Sequence, residues 1–295
     1  MHEALAYEQL KNSKVRCLTC DKRCKLSDNA YGACGVRKNT HGRLEVLNYG
    51  MIRAASLDPI EKKPIYHYLP GTTSFSIGAP GCNMHCGWCQ NISLAHPKTL
   101  KRLGEKRWSP SDPVSMALAR GASSIAYTYS EPTMFIEYAL DVMKRAKASG
   151  LKNIWVSNGM MSKDSIDALR HYVDAANIDL KGPSHAFYAQ HCKGLLDSVL
   201  TTIHDWIRFG IHVEITTLVI PGLNDSDDDF HAMITLMTKY ATKETVWHLS
   251  RFFPAYQYQD ISITPLERLE RFQMLARQAG FKHVYLGNVS YGERL

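Results

Sequence analysis

The chain has 295 residues, a hydrophobic fraction of 45% and a formal net charge of +7, enough to bury one large core or a main domain with a small appendage. No apolar run approaches the ~20 residues that span a bilayer, since the longest, around Thr216–Ile220 and Ser124–Tyr127, are strand-sized. Met1–Leu10 mixes His, Glu and Gln where a signal peptide has its apolar centre, so the cytoplasm is the expected compartment. The basic excess is scattered among acids apart from Lys98–Arg107; such a run is ordinarily a solvated face, and it selects no partner by itself.

In chain order, residues 1–60 contain Cys17, Cys20, Cys24 and Cys34, glycines at 32, 35, 42 and 50, and little periodicity beyond a short strand at Arg43–Tyr49. They predict a small metal-stapled module whose core is too thin to stand alone. Residues 61–295 predict a regular β/α alternation. Ser74–Gly78 reads as a strand, Asp112–Arg120 as a helix and Ser124–Tyr129 as a strand. Pro132 opens a helix with Phe135, Ala139, Val142, Met143 and Ala146 on one face and Gly150 at its end. Strands at Ile154–Ser157, Ala176–Leu180, His212–Val219, Thr245–Leu249 and Val284–Gly287 alternate with helices at Lys163–Tyr172, Leu195–Phe209, Asp227–Tyr240 and Pro265–Ala279. Six β/α units predict a partial (β/α)6 TIM-like barrel, although periodicity alone also allows an open doubly wound sheet.

Seven of the eight cysteines fall in two groups, and only Cys192 stands apart, read here as a small buried residue. Without a secretory signal, such groups suggest metal sites in preference to disulfides. Cys82-x3-Cys86-x2-Cys89 lies in one loop directly after a strand. Three thiolates so spaced reach three corners of a cubic iron–sulfur cluster and leave the fourth iron open. The alternative is a zinc knuckle using His85, which the adjacent Cys86 makes awkward.

This segment resembles the signature of the radical S-adenosylmethionine (SAM) superfamily, with Trp88 as the aromatic residue before the third cysteine. The resemblance runs from about Leu57 to Asn288. Tyr129-Ser130-Glu131-Pro132-Thr133 falls where the superfamily contacts the methionyl amino group, and Val156-Ser157-Asn158-Gly159 ends the next strand. Asp179-Leu180-Lys181 resembles the motif by which pyruvate formate-lyase activating enzymes touch the SAM carboxylate and ribose, and Thr217–Gly222 resembles the segment bordering adenine. Asp58–His67, the Cys-Gly-Val-Arg at 34–37 and Trp247–Phe252 are similar to AmmeMemoRadiSam-system radical SAM enzymes. Two departures are Phe253, where a His is expected, and a chain end at Leu295 without a Cys-containing tail.

The resemblance implies a [4Fe–4S] cluster on Cys82, Cys86 and Cys89, and SAM held by Trp88, Glu131, Asn158, Asp179 and Lys181. It implies reductive SAM cleavage to a 5′-deoxyadenosyl radical that abstracts hydrogen, in an activase-like reaction or on a small molecule or peptide. An electron donor such as a flavodoxin or ferredoxin, and a protein substrate or AmmeMemoRadiSam-system partners, follow as expected partners. Nucleic acid and membrane are not. The competing readings are an RNA-modifying enzyme of the same chemistry and a non-enzymatic metal-binding adaptor. The physical reading agrees, since a zwitterion wants an acid and a cation, although Glu131 before Pro132 also suits a helix N-terminus. His248, near a strand end, is a candidate catalytic residue; His67 and Tyr66 are weaker ones. At Cys17-x2-Cys20-x3-Cys24-x9-Cys34 the expectation is a structural zinc, with a second iron–sulfur cluster and free thiols as alternatives.

Overall fold

A computed structural model describes residues 2–100, 104 and 106–289; Lys101 and Arg102 of the basic run, and the chain end at Leu295, lie outside the described residues. The N-terminal module consists of short strands β1 (His2–Glu3), β2 (Tyr7–Gln9), β3 (Val15–Cys17), β4 (Lys25–Leu26), β5 (Arg37–Thr40) and β6 (Arg43–Val46). They form two three-stranded antiparallel sheets, β1-β6-β5 and β2-β3-β4, around Val15, Leu26, Leu44 and Val46.

The main sheet has eight strands, ordered β14-β13-β12-β11-β10-β9-β8-β7. Its first strand, β7 (Ala54–Pro59), is antiparallel to β8 (Thr73–Gly78). The remainder is parallel: β9 (Ser124–Tyr127), β10 (Lys152–Ser157), β11 (Ala175–Asp179), β12 (His212–Val219), β13 (Val246–Arg251) and β14 (Val284–Gly287). After the short α1 (Ile92–Ala95), the crossovers carry α2 (Ser111–Ala119), α3 (Ile136–Ala148), α4 (Lys163–Leu169), α5 (His185–Phe187) with α6 (Leu196–Arg208), α7 (Asp227–Tyr240) and α8 (Leu266–Gln278). Six helical crossovers between seven parallel strands make the expected partial (β/α)6 barrel. β7 lies before residue 61, so the barrel sheet begins within the segment assigned to the N-terminal module.

Alternation along the strands explains the layering. Phe75, Ile77, Ile125, Tyr127, Trp155, Ile178, Ile215, Trp247 and Leu249 belong to one large core shared with the helices. The intervening positions, Ser74, Ser76, Asn177, Glu214 and His248, are buried and polar, or small and apolar like Ala126 and Ala175. Ile60 and Ile65, which follow β7, pack on Ala126, Ile154 and Ala175 and fill that inner space. The helices carry the stop and start signals the residues provide: Ser162 caps α4, and Ser226 caps α7 by accepting from Asp229 N. No helix among the described residues is long and apolar enough to cross a membrane.

Candidate active site

The loop Ala79–Cys89 leaves the end of β8, and its backbone is fixed from three sides. His85 N donates to Cys192 O at 2.7 Å, Gly87 O accepts from Gln257 N at 2.9 Å, and His96 Nε2 meets Met84 O at 2.7 Å. Two glycines permit this path. Gly81 has φ +115°, and a Cβ there would stand 2.7 Å from Val36 Cγ2; at Gly87 a Cβ would stand 2.6 Å from the Tyr258 ring. Trp88 is buried between Phe187 and Tyr258, with ring centroids 6.0 and 5.8 Å away. It walls the loop, and its indole packs on these two aromatic rings.

Cys82, Cys86 and Cys89 are each partly exposed and close enough to influence one another electrostatically. Cys82 Sγ accepts from Met84 N at 3.4 Å and Asn158 Nδ2 at 3.6 Å. Burial pushes the Cys82 thiol well up, and the Glu131 carboxylate adds to it. The Cys86 thiol moves down, through a hydrogen bond with the Cys192 thiol and the nearby Lys181 ammonium, against the effect of burial. Three thiol donors on a pinned loop, one already accepting N–H bonds, are the donor set an iron–sulfur cluster takes. The residues fit that group.

The strand-end residues come together around the loop, in roles that differ from those the motifs implied. Glu131 is buried, and its carboxylate accepts from Thr133 N at 3.0 Å, Thr133 Oγ1 at 2.5 Å, Ser157 Oγ at 2.8 Å and Asn158 N at 2.9 Å. With these four donors it caps the 3-10 turn Pro132–Phe135 and ties β9 to β10. Three of the donors reach Oε1 and one, Asn158 N, reaches Oε2, an internal role that the motif did not imply. Burial raises the Glu131 carboxyl, against the pull of those donors. Asn158 is likewise engaged, donating to Asn83 Oδ1 at 2.8 Å and accepting from Met160 N at 2.9 Å. It holds the loop beside Cys82.

Asp179 and Lys181 differ. Lys181 Nζ donates to Asp179 Oδ2 at 2.7 Å, and the Asp179 side chain remains 35% exposed. Burial works against the Lys181 charge, but Asp179 and the Cys86 and Cys192 thiols outweigh it and keep the ammonium protonated. This pair is the polar element that faces the loop with open capacity.

His248 lies deeper in its strand than expected. It sits in the first half of β13, 2% exposed, with Nε2 2.6 Å from Glu214 Oε2. Glu214 further accepts from His212 Nε2 and from Tyr66 N and His67 N. His248 therefore belongs to a buried network that anchors the inner segment after β7, at a distance from the strand ends. His67 Nε2 meets Tyr285 OH at 2.7 Å, joining the same segment to β14. Phe253 is 38% exposed beside the Arg251 guanidinium.

Two groups near the mouth carried no assigned role. Cys192 is buried as expected, but its thiol touches Cys86 and its carbonyl holds the loop. It ends a π-helical turn, Tyr188–Cys192, followed by Lys193 at φ +51°, a distortion common at functional sites. Asp58 and Lys63 form a buried pair at 2.7 Å, and Tyr129 OH donates to the same carboxylate at 3.0 Å. Tyr129 itself has φ +70° at the end of β9, strained for a bulky residue. Asp58 and Lys63 lie within the segment Asp58–His67 already matched by motif; the missing signal was the convergence of Lys63 and Tyr129 on one carboxylate.

Residues 76–236 match the model of the radical SAM superfamily. The uncharacterized protein MJ0808 of Methanocaldococcus jannaschii is 38% identical over 289 residues, 98% of this chain and 86% of its own length. Among solved structures, a domain of a pyruvate-formate lyase-activating enzyme from Bacteroides vulgatus superposes with a TM-score of 0.50 at 14% identity, covering 57% of this chain and 100% of that one. A radical SAM methyltransferase from Sphaerobacter thermophilus gives 0.59 at 15% identity, covering 75% of this chain and 68% of that one. At these identities the structural likeness concerns the fold.

Proposed function

Because the chain belongs to the radical SAM superfamily, we propose that it is an enzyme whose [4Fe–4S] cluster, on Cys82, Cys86 and Cys89, works with SAM bound beside Asp179 and Lys181. The observation that supports this most is the placing of one half-buried ammonium, Lys181, against Asp179 and within electrostatic reach of Cys86. When bound, the cluster and SAM together supply one-electron cleavage of the sulfonium and a hydrogen-abstracting adenosyl fragment.

The protein's part is positional. Lys181 offers a charge-assisted donor to a ligand carboxylate, and Asp179 offers acceptors to hydroxyls or an ammonium. Glu131 and Asn158 keep Cys82 and the ends of β9 and β10 in register, and Trp88 with Tyr258 shuts water from one side of the loop. The Asp-Leu-Lys strand end favours an activase-type reaction, hydrogen abstraction from a glycine of a partner enzyme, with a flavodoxin or ferredoxin as electron donor.

Cys86→Ala tests the assignment. The variant should lose most of the iron of this loop and form no 5′-deoxyadenosine above the protein-free control. Wild-type rates in Cys86→Ala would refute it.

A further inference from the structure

The radical site leaves four cysteines unused. Cys17, Cys20, Cys24 and Cys34 line a single cavity, closed on the barrel side by Asn83 and Met134 and on the module side by Arg37. Cys17, Cys20 and Cys34 are buried and Cys24 is partly exposed. We propose that this cavity is a second iron–sulfur site, in which the four thiolates hold a [4Fe–4S] cluster, in place of the structural zinc expected for this module.

The first argument is the donor set. Four thiols line one cavity, and their order holds a single C-x2-C pair, Cys17 and Cys20, where zinc ribbons carry two matched pairs. A cube of iron and sulfide takes four thiolates without such pairing, because each binds a different corner.

The second argument is spacing. Cys17-x2-Cys20-x3-Cys24 is the reverse of Cys82-x3-Cys86-x2-Cys89, with the same eight-residue span. A span that reaches three corners of a cube in one loop can do so in the other, and Cys34 supplies the fourth corner. That makes the module's cluster fully ligated, in contrast to the open one.

The third is an orphaned donor. Arg37 is 1% exposed and pairs bidentately with Glu137, both bonds at 2.9 Å, yet its Nε has no hydrogen-bond partner among the described residues. Buried donors ordinarily find acceptors. Arg37 lines this cavity, and an anionic cluster brings sulfide or thiolate acceptors to it. The cavity also abuts the radical loop through Asn83, the residue after Cys82.

The experiment uses the full chain with Cys82, Cys86 and Cys89 all changed to Ala, prepared anaerobically with iron and sulfide and analysed for metals, sulfide and Mössbauer signal. About four irons and four sulfides per chain, without zinc, is the expected result. One zinc, two irons or no metal would overturn the proposal. Should the triple variant not fold, the wild-type protein decides: about eight irons supports two cubes, and about four overturns it. A Cys17→Ser/Cys34→Ser variant should then lose half its iron while the remaining cluster still changes its EPR signal on adding SAM.

Discussion

Lys181 and Glu131 show how differently two charged residues of one site behave. The Lys181 ammonium faces the loop and shares one carboxylate oxygen with Asp179, so Lys181→Met removes a charge-assisted bond to ligand, costing about 1.5–3 kcal/mol of SAM binding. SAM titration of the reconstituted variant should show a roughly tenfold or larger loss with the cluster spectrum unchanged; an unaltered affinity would exclude Lys181 from the SAM site. Glu131→Gln instead turns an amide toward the Thr133, Ser157 and Asn158 donors and leaves some of them unsatisfied, about 1–3 kcal/mol of folding stability. Chemical denaturation should show that loss. The motif around Glu131 was legible in the sequence, but its internal hydrogen bonds were not, because that network is a property of two strand ends meeting. Glu214 adds a pH test. Burial raises its carboxyl, yet donors from His212, His248, His67 and Tyr66 outweigh this and pull it down to about 2. A lowered carboxyl contributes stability above its unfolded pKa of about 4.3 and loses it as pH falls toward the folded value. Between about pH 5 and 2 the protein should therefore lose up to about 3 kcal/mol that Glu214→Gln does not lose; parallel pH profiles of the two proteins would contradict this.

The regular elements of the barrel are the part that periodicity made visible. His212–Val219, Asp227–Tyr240 and Val284–Gly287 begin and end where the residues place them, because each has an apolar face of adequate length and a breaker at its ends. The strands of the N-terminal module run from two to four residues, too short to show any period. The π-turn Tyr188–Cys192 was hidden for another reason: it is fixed by contact with the radical loop, His85 N on Cys192 O and Gly87 N on His191 O. His248 was misplaced because its position in β13 says nothing of Glu214 two strand positions earlier in β12. At the level of the loop itself, Gly87→Ala would drive a methyl into the Tyr258 ring. Anaerobically reconstituted Gly87→Ala should retain less iron than wild type, whereas Gly121→Ala, with φ +66° and nothing within 4 Å of its Cβ, should keep wild-type iron and lose only about 1–2 kcal/mol of stability. Equal iron in all three would mean that the tight path of the loop does not govern the cluster site.

Across the whole molecule, the small module and the barrel are joined by buried polar contacts. Arg37 of β5 meets Glu137 of α3 with side chains 1% and 3% exposed, and Leu5 N donates to the same carboxylate. Removing one partner of such a pair costs about 3–5 kcal/mol, so Glu137→Gln should lower global stability by that order in chemical denaturation; a change below about 1 kcal/mol would mean that the pair does not hold the two parts together. Asn48 Nδ2 donates to Pro80 O at the root of the cysteine loop, and Ser165 Oγ to Thr19 O, so the module braces that loop and α4. The central claim concerns chemistry, and one measurement addresses it most directly. The anaerobically reconstituted wild-type protein, given SAM and a one-electron reductant, should form 5′-deoxyadenosine and methionine in equal amounts, with neither product when SAM is given without reductant. A protein that carries its full iron and sulfide, binds SAM and still forms no 5′-deoxyadenosine would contradict the assignment.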